Sequence, residues 1–187
     1  MTALSNWGRW GDDDELGTLN LVTAERVAAA AALVSVGRVV SCAWPVDPAV
    51  PDVYGAPQRL MLIGGAGPRT QPRIPGADHR PHRSVVDYVG LAFHGLCLPW
   101  LRERDVALIG CDGINDAVPS GCGGYGFDLP VHLVGLVAIG LWLLDNCDLD
   151  ELAATCASLG RWEFMLSVLP LRLAGATGSP VNPVAFF

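Results

Sequence analysis

The sequence predicts a mixed α/β domain, because short apolar runs typical of strands alternate with longer runs typical of helices. Glycine and Asp-Gly signals separate these runs, as expected where a strand or helix ends. The 187 residues are enough for one domain with a hydrophobic core and contain no internal repeat. We therefore treat residues 1–187 as a single domain.

The first half of the chain begins with one clear helix. Thr23 is a favourable N-cap for a helix over residues 24–36, and Gly37 is its predicted C-terminal stop. A strand is predicted at residues 38–44. Residues 45–83 are rich in Pro, Gly and Arg, and only residues 59–63 resemble regular structure within them. So long an irregular segment is unusual. It is a functional lid, a mobile arm or a segment that has lost its packing partner.

The second half returns to alternating elements. Pro99 limits where a helix near it can start, and Pro130 favours the opening of another. A capping-box-like run at residues 148–151 starts a third helix, which ends at Gly160. The predicted helices lie at residues 95–102, 131–140 and 148–160, and the predicted strands at residues 106–111, 141–144 and 164–173. The tail at residues 177–183 is predicted to be irregular.

The composition excludes several classes of protein. Nineteen acidic residues face twelve basic ones, all arginine, and the net charge of −7 argues against a nucleic-acid partner. Residues 1–10 do not resemble a secretory signal, and the apolar run at residues 129–144 is too short for a membrane span. Six cysteines without a CxxC pair are typical of reduced thiols and not of a structural zinc site. These features predict a cytoplasmic protein without a membrane partner.

The densest string of unusual residues lies at residues 6–20. Trp7 and Trp10 alternate with glycines there, which suits either a pocket for an aromatic substrate or rings packed under a turn. The four acids at residues 12–15 suit the solvated start of a helix better than a cation site.

Few other residues offer catalytic chemistry. His132 and Asp145 could bind a divalent ion, or the carboxylate could raise the pKa of the imidazole so that it acts as a general base. The alternative is a helix start and a turn. His79 and His82 could substitute as metal ligands, although a surface arm is the simpler interpretation. Cys111 and the other cysteines are better explained as buried thiols than as nucleophiles.

Several strings together resemble the cyclase family of metal-dependent hydrolases, to which kynurenine formamidases and isatin hydrolases belong. The matching strings occur in the family's order and cover about two thirds of the chain. They are NWGRWGDDDELGTLN at residues 6–20 with the helix that follows, WLRERDVA at 100–107, CDG at 111–113, LPVH at 129–132, DN at 145–146, GRWEF at 160–164 and GSPVNPV at 178–184.

The resemblance implies both an activity and a defect. Family members hydrolyse C–N bonds of formamides or cyclic amides, such as N-formylkynurenine in tryptophan catabolism, with a bound divalent metal such as Mn or Zn. His132 and Asp145 match positions of the metal and proton-transfer site, although Glu is more usual at the second. The His-x-Gly-Thr-His-x-Asp motif that supplies the primary metal ligands is absent.

Residues 85–89 resemble the strand that precedes this motif in the family. The absence of the motif after them implies a truncated version of the family's swivelling β/β/α fold, with an internal deletion near residues 89–90. The resemblance also implies a small-molecule substrate and a homo-oligomer. The alternative is a non-catalytic remnant of the family, or a protein that binds a small ligand without turnover.

Overall fold

A three-stranded antiparallel sheet and a pair of parallel strands organise this chain. The structure is a computed structural model that describes residues 2–45, 61–64, 67–70, 93–117, 120 and 129–187. Strands and helices alternate along the described residues, so the predicted mixed α/β class is confirmed.

Three α-helices occur where helices were predicted, and the first and the third each keep one of their two predicted end signals. Helix α1 spans Ala24–Ala31, and the Thr23 side chain accepts a hydrogen bond from the Arg26 amide. It ends before the predicted residue 36. Helix α2, Leu98–Glu103, has Pro99 in its first turn and follows a 3-10 turn at Gly95–Cys97. Helix α3, Asp150–Leu159, ends at Gly160 with φ of +61°.

The expected capping box at residues 148–151 does not form. The N-cap of α3 is Leu149, whose side chain caps nothing, and the Asp148 amide donates instead to the Cys42 carbonyl. A contact between distant parts of the chain therefore replaces the local motif.

The antiparallel sheet has the order β1-β7-β6. Strands β1 (Val39–Ser41) and β6 (Met165–Ser167) both pair with β7 (Val184–Phe186), so the last strand of the chain is central. The predicted strands at residues 38–44 and 164–173 are therefore too long, and β7 was not predicted at all. Each strand keeps only the three residues that pair with a neighbour.

Residues 45–83 contain more regular backbone than expected. Strand β2 (Met61–Gly64) overlaps the predicted residues 59–63, and strand β3 (Gly67–Thr70) pairs with it as an antiparallel hairpin. The prediction missed β3. Two other predictions, the strand at residues 85–89 and the pair His79 and His82, lie outside the described residues.

Strands β4 (Leu108–Gly110) and β5 (Trp142–Leu144) are parallel neighbours. The connection between them includes a helix at Val131–Ile139, which was expected as an α-helix and is a π-helix. It ends at Gly140, which has φ of +70°. Apolar side chains from α2, β4 and this helix form one core, which consists of Leu98, Leu101, Ile109, Val131, Ile139 and Leu141.

A second core lies between the antiparallel sheet and α3, and consists of Val40, Cys42, Cys156, Ala185 and Phe187. The two halves meet where the Cys147 amide donates to the Cys111 carbonyl and Ala43 pairs with Cys147. These bonds fix the segments that follow β4 and β5. None of the described helices has the length and hydropathy of a membrane-spanning segment.

Candidate functional site

Polar residues converge where the two parallel strands end. Asn115 and Asp116 follow β4 after a short turn, and Asp145 follows β5 directly. Because β4 and β5 are parallel, their carboxyl ends lie at the same edge. This edge is where open α/β sheets usually place ligands. The π-helix begins at Val131, so His132 is in its first turn.

Asp116 anchors His132 in this arrangement. Its Oδ1 accepts from the Val131 amide at 2.6 Å, and its Oδ2 accepts from the His132 amide at 2.9 Å. The same Oδ2 lies 2.6 Å from His132 Nδ1. A carboxylate at a helix N-terminus satisfies free backbone amides and interacts favourably with the helix dipole. The Asp116 side chain is fully buried.

Asp145 approaches the imidazole from the other side. Its Oδ2 lies 2.8 Å from His132 Nε2, so His132 stands between two carboxylates. Asp145 Oδ1 accepts from the Asn115 amide at 2.8 Å and from Asn115 Nδ2 at 2.7 Å. The structure thus brings together His132 and Asp145, which the sequence singled out.

This arrangement fixes the charge of the site. Hydrogen bonds that the imidazole donates to Asp116 and, with a smaller effect, to Asp145 outweigh desolvation and raise the pKa of His132 to about 9. Burial opposes ionisation of Asp145, but the hydrogen bonds from His132 and Asn115 outweigh burial and lower the pKa of its carboxyl. At neutral pH the imidazole is therefore charged and both of its nitrogens carry protons. A neighbouring carboxylate raises this pKa as expected, but an imidazole that is already protonated at neutral pH cannot act as the expected general base and is placed to act as a general acid.

A cleft of about 500 Å³ opens beside Asp145. Its walls include the side chains of Trp44, Leu136 and Trp142, all of them partly exposed. The Trp142 indole is held by a hydrogen bond from its Nε1 to the Leu16 carbonyl at 2.9 Å. A mostly apolar wall with one carboxylate at its edge is typical of a site for a small molecule.

Trp7 and Trp10 line a different cleft, of about 580 Å³, at the opposite end of the π-helix. Trp7 is 78% exposed, and its Nε1 donates to the Val137 carbonyl at 2.6 Å. His132 and Asp145 are not among the residues that line this cleft. The structure therefore does not bring the two tryptophans together with the pair His132 and Asp145. Their role in substrate binding stays a prediction.

The acidic run beside these tryptophans includes one residue with a defined structural role. Asp14 accepts hydrogen bonds from the amides of Leu16 and Gly17 and from the side chain of Asn20. It therefore caps the 3-10 turn at Gly17–Leu21, as the helix-start interpretation expects.

The thiols near the site are buried, and burial raises their pKa values. Five cysteines are free, in agreement with the prediction, and the sixth, Cys122, lies outside the described residues. Burial raises the pKa of the Cys111 thiol to about 11, and its Sγ donates to the Gly113 carbonyl. Burial raises the pKa of Cys147 to about 12. A thiol that stays protonated at neutral pH is a poor nucleophile.

The described residues supply only part of a metal site. Within the described ranges, no three His, Cys, Asp or Glu side chains are grouped so that they could hold an ion. His132 Nε2 and Asp145 Oδ2 are two adjacent donors, whereas catalytic zinc usually has three protein ligands. In addition, Nε2 carries a proton in the charged imidazole. As they stand, these residues do not fit a catalytic metal.

Sequence analysis missed Asn115 and Asp116. A usable signal was present, because both residues follow a predicted buried strand and its Asp-Gly turn, while Asp145 follows the next predicted strand. Polar side chains after two neighbouring parallel strands point to one shared site.

Comparison with known proteins confirms the fold. No family model matches the chain, and no curated protein matches it. A solved structure described as the crystal structure of a novel cyclase is similar, with a TM-score of 0.72 and 23% sequence identity. The similarity covers 99% of this chain and 98% of that chain. The chain therefore has the fold of that cyclase. The proposed deletion near residues 89–90 lies outside the described residues and stays a prediction.

Proposed function

We propose that this protein belongs to the cyclase family and hydrolyses C–N amide bonds in small formamide or cyclic amide substrates. The observation that carries the proposal is the imidazole of His132, held between Asp116 and Asp145 beside a cleft. The similarity to a cyclase structure and the motifs of residues 6–20 and 178–184 support the family assignment.

His132 supplies the proton that amide cleavage requires. When water adds to an amide carbon and the C–N bond breaks, the departing nitrogen must receive a proton and the attacking water must give one up. The ionised carboxylate of Asp145, once a substrate replaces it at Nε2, is the group that can accept the proton from water. The charged imidazole holds a proton on Nε2, and Asp145 on that side has a side chain 38% exposed. A bound substrate can therefore replace Asp145 as the partner of Nε2 and accept the proton. General acid catalysis of this kind contributes about 10²–10⁴-fold to the rate.

The cleft beside Asp145 supports a small and partly aromatic substrate. Its volume of about 500 Å³ is in the range typical of sites for small ligands. Trp44 and Trp142 offer flat apolar surfaces there. N-formylkynurenine combines an aromatic ring with a formamide group and is therefore a suitable first substrate to test.

The divalent metal that the resemblance implies, Mn or Zn, requires donors beyond the described pair. His132 and Asp145 provide two of them, so at least one more must come from residues outside the described ranges. Metal analysis of the purified protein tests this requirement. Stoichiometric metal in the unaltered protein and its loss in His132→Ala would support a metal-dependent hydrolase.

The experiment that tests the proposal compares two histidine variants. His132→Ala removes the central imidazole, whereas His94→Ala removes an imidazole whose Nδ1 accepts from the nearby Leu96 amide. We expect N-formylkynurenine hydrolysis by the unaltered protein and by His94→Ala. His132→Ala is expected to lose at least about 100-fold in kcat. Absence of turnover at high protein concentration, or full activity of His132→Ala, would overturn the proposal.

A second candidate is a protein that binds a small ligand without turnover. The observation in its favour is that both ring nitrogens of His132 already bond carboxylates, which stabilises the site without a metal. Calorimetric binding of N-formylkynurenine, with the ligand recovered intact, would favour this candidate. The homo-oligomer implied by the resemblance is tested by sedimentation of the same sample.

A further inference from the structure

We propose that Asn115 is a positioning residue, which orients Asp145 so that one carboxylate oxygen faces His132. The inference deepens the proposed function and rests on it only for the effect on catalysis. The orientation itself is a property of the hydrogen bonds around Asp145.

Asn115 holds one oxygen of Asp145 with two donors. The backbone amide lies 2.8 Å from Oδ1, and Nδ2 lies 2.7 Å from the same atom. Nδ2 also donates to the Leu144 carbonyl at 2.9 Å. Both amide hydrogens thus reach acceptors, which fixes the orientation of the amide. With Oδ1 held, Oδ2 is the oxygen left to face His132 Nε2.

Burial makes this arrangement rigid. Asn115 is fully buried, and its Oδ1 has no hydrogen-bond partner among the described residues. A buried amide that leaves an acceptor unpaired carries a cost in stability. The side chain offsets this cost through Nδ2, which donates to Asp145 Oδ1 and to the Leu144 carbonyl, whereas the backbone amide would be present with any side chain except proline.

Asp116 does not depend on Asn115 in the same way. Its two oxygens accept from the Val131 and His132 amides and from His132 Nδ1, so the helix itself orients this carboxylate. Loss of the Asn115 side chain should therefore loosen the Nε2 side of His132 and leave the Nδ1 side in place. This selectivity separates a positioning role from a general effect on folding.

The test is proton NMR of the His132 ring in protein treated with a chelator, for the unaltered chain and for two variants. Asn115→Ala removes the side-chain donors, and Asn115→Leu removes them while retaining most of the buried volume. In the unaltered chain we expect two downfield ring N–H signals, one for each carboxylate. In both variants the Nε2–H signal should broaden or disappear while the Nδ1–H signal persists.

Three results would overturn the proposal. They are two unchanged signals in a folded variant, loss of both signals together, and absence of the Nε2–H signal from the unaltered chain. A further measurement needs no variant: in the unaltered chain we expect a coupling through the hydrogen bond between the Asn115 amide nitrogens and the Asp145 carboxyl carbon. Its absence would also overturn the proposal.

This test is independent of turnover, so an inactive protein would refute the proposed function without affecting the result for Asn115. Where hydrolysis is observed, Asn115→Leu should lower kcat by about tenfold, equivalent to one hydrogen bond, and leave KM within about twofold. A purely structural role would reduce the amount of folded protein and leave kcat per folded molecule unchanged.

Discussion

Because the charged His132 lies between two carboxylates, we expect the stability of this protein to fall at alkaline pH. Its pKa rises from 6.5 to about 9 on folding, because Asp116 and Asp145 bond the protonated ring. The folded state binds this proton more tightly than the unfolded state. The stabilisation is therefore complete below about pH 6.5 and is lost as pH rises through about 9. At 1.36 kcal/mol per pKa unit, it amounts to about 3 kcal/mol. That is a large part of the about 5–15 kcal/mol typical of a domain.

Urea unfolding at about pH 6 and about pH 10 measures this loss. Buried thiols complicate the comparison, because the raised pKa values of Cys42, Cys111 and Cys147 also favour unfolding at high pH. The readout is therefore the loss of unfolding free energy between the two pH values in the unaltered protein, minus the same loss in His132→Gln, which retains all the cysteines.

Between about pH 6 and about pH 10, we expect the unfolding free energy of the unaltered protein to fall by about 3 kcal/mol more than that of His132→Gln. His132→Gln leaves the buried Asp116 without its charged partner, which can prevent folding. Asp145→Asn is the second variant. This substitution removes only one of the two carboxylate partners of the imidazole, and the Asp145 side chain is partly exposed, so the variant should still fold. Equal losses in the unaltered protein and in either variant would refute the reasoning.

Three further predictions follow from backbone and side-chain geometry. Gly17→Ala should destabilise the protein by more than about 2 kcal/mol, because φ is +57° and the new Cβ would lie 2.5 Å from a backbone oxygen of the glycine that ends the π-helix. Gly37→Ala, at φ of +78° with open space around it, should cost only about 1 kcal/mol, and thermal unfolding of the two variants measures both costs. Asn146 has φ of +57°, so Asn146→Ala should melt at a lower temperature than Asn146→Gly; the reverse order would contradict this account. Trp142→Phe should raise KM for an aromatic amide and Trp7→Phe should not, since each change removes one indole hydrogen bond but only Trp142 shares a cleft with Asp145; equal effects would contradict the assignment of the substrate to that cleft.

Local signals predicted the elements whose ends depend on nearby residues. Thr23 caps α1 and Gly160 ends α3, because both act within one turn of helix. The lengths of β1 and β6 were overestimated, because pairing with β7 sets their limits and that strand lies at the far end of the chain. The π-helix was not predictable, since an apolar run has no residue preference that separates i+5 from i+4 hydrogen bonding.

The candidate site was half predicted, for a similar reason. His132 and Asp145 were found through a family resemblance, whereas Asp116 and Asn115 are separated from them by 16 to 30 positions along the chain. Only the parallel pairing of β4 and β5 brings these segments together. Periodicity along the sequence carries no information about such a pairing, but the polar residues after each strand do.

The two carboxylates around His132 differ in a way that directs its chemistry. Asp116 is fully buried and bonded to the first turn of the helix, so the proton on Nδ1 has no route to a ligand. Asp145 is 38% exposed and lines the cleft, so, unlike the partner of Nδ1, the partner of Nε2 is accessible from solvent. The same atom would have to bind a metal, and a metal ligand must first give up its proton. Proton donation from Nε2 and metal ligation by Nε2 are therefore alternative states of one atom. The pKa of about 9 opposes the second state at neutral pH, so metal affinity at this atom must rise as the solution becomes more alkaline.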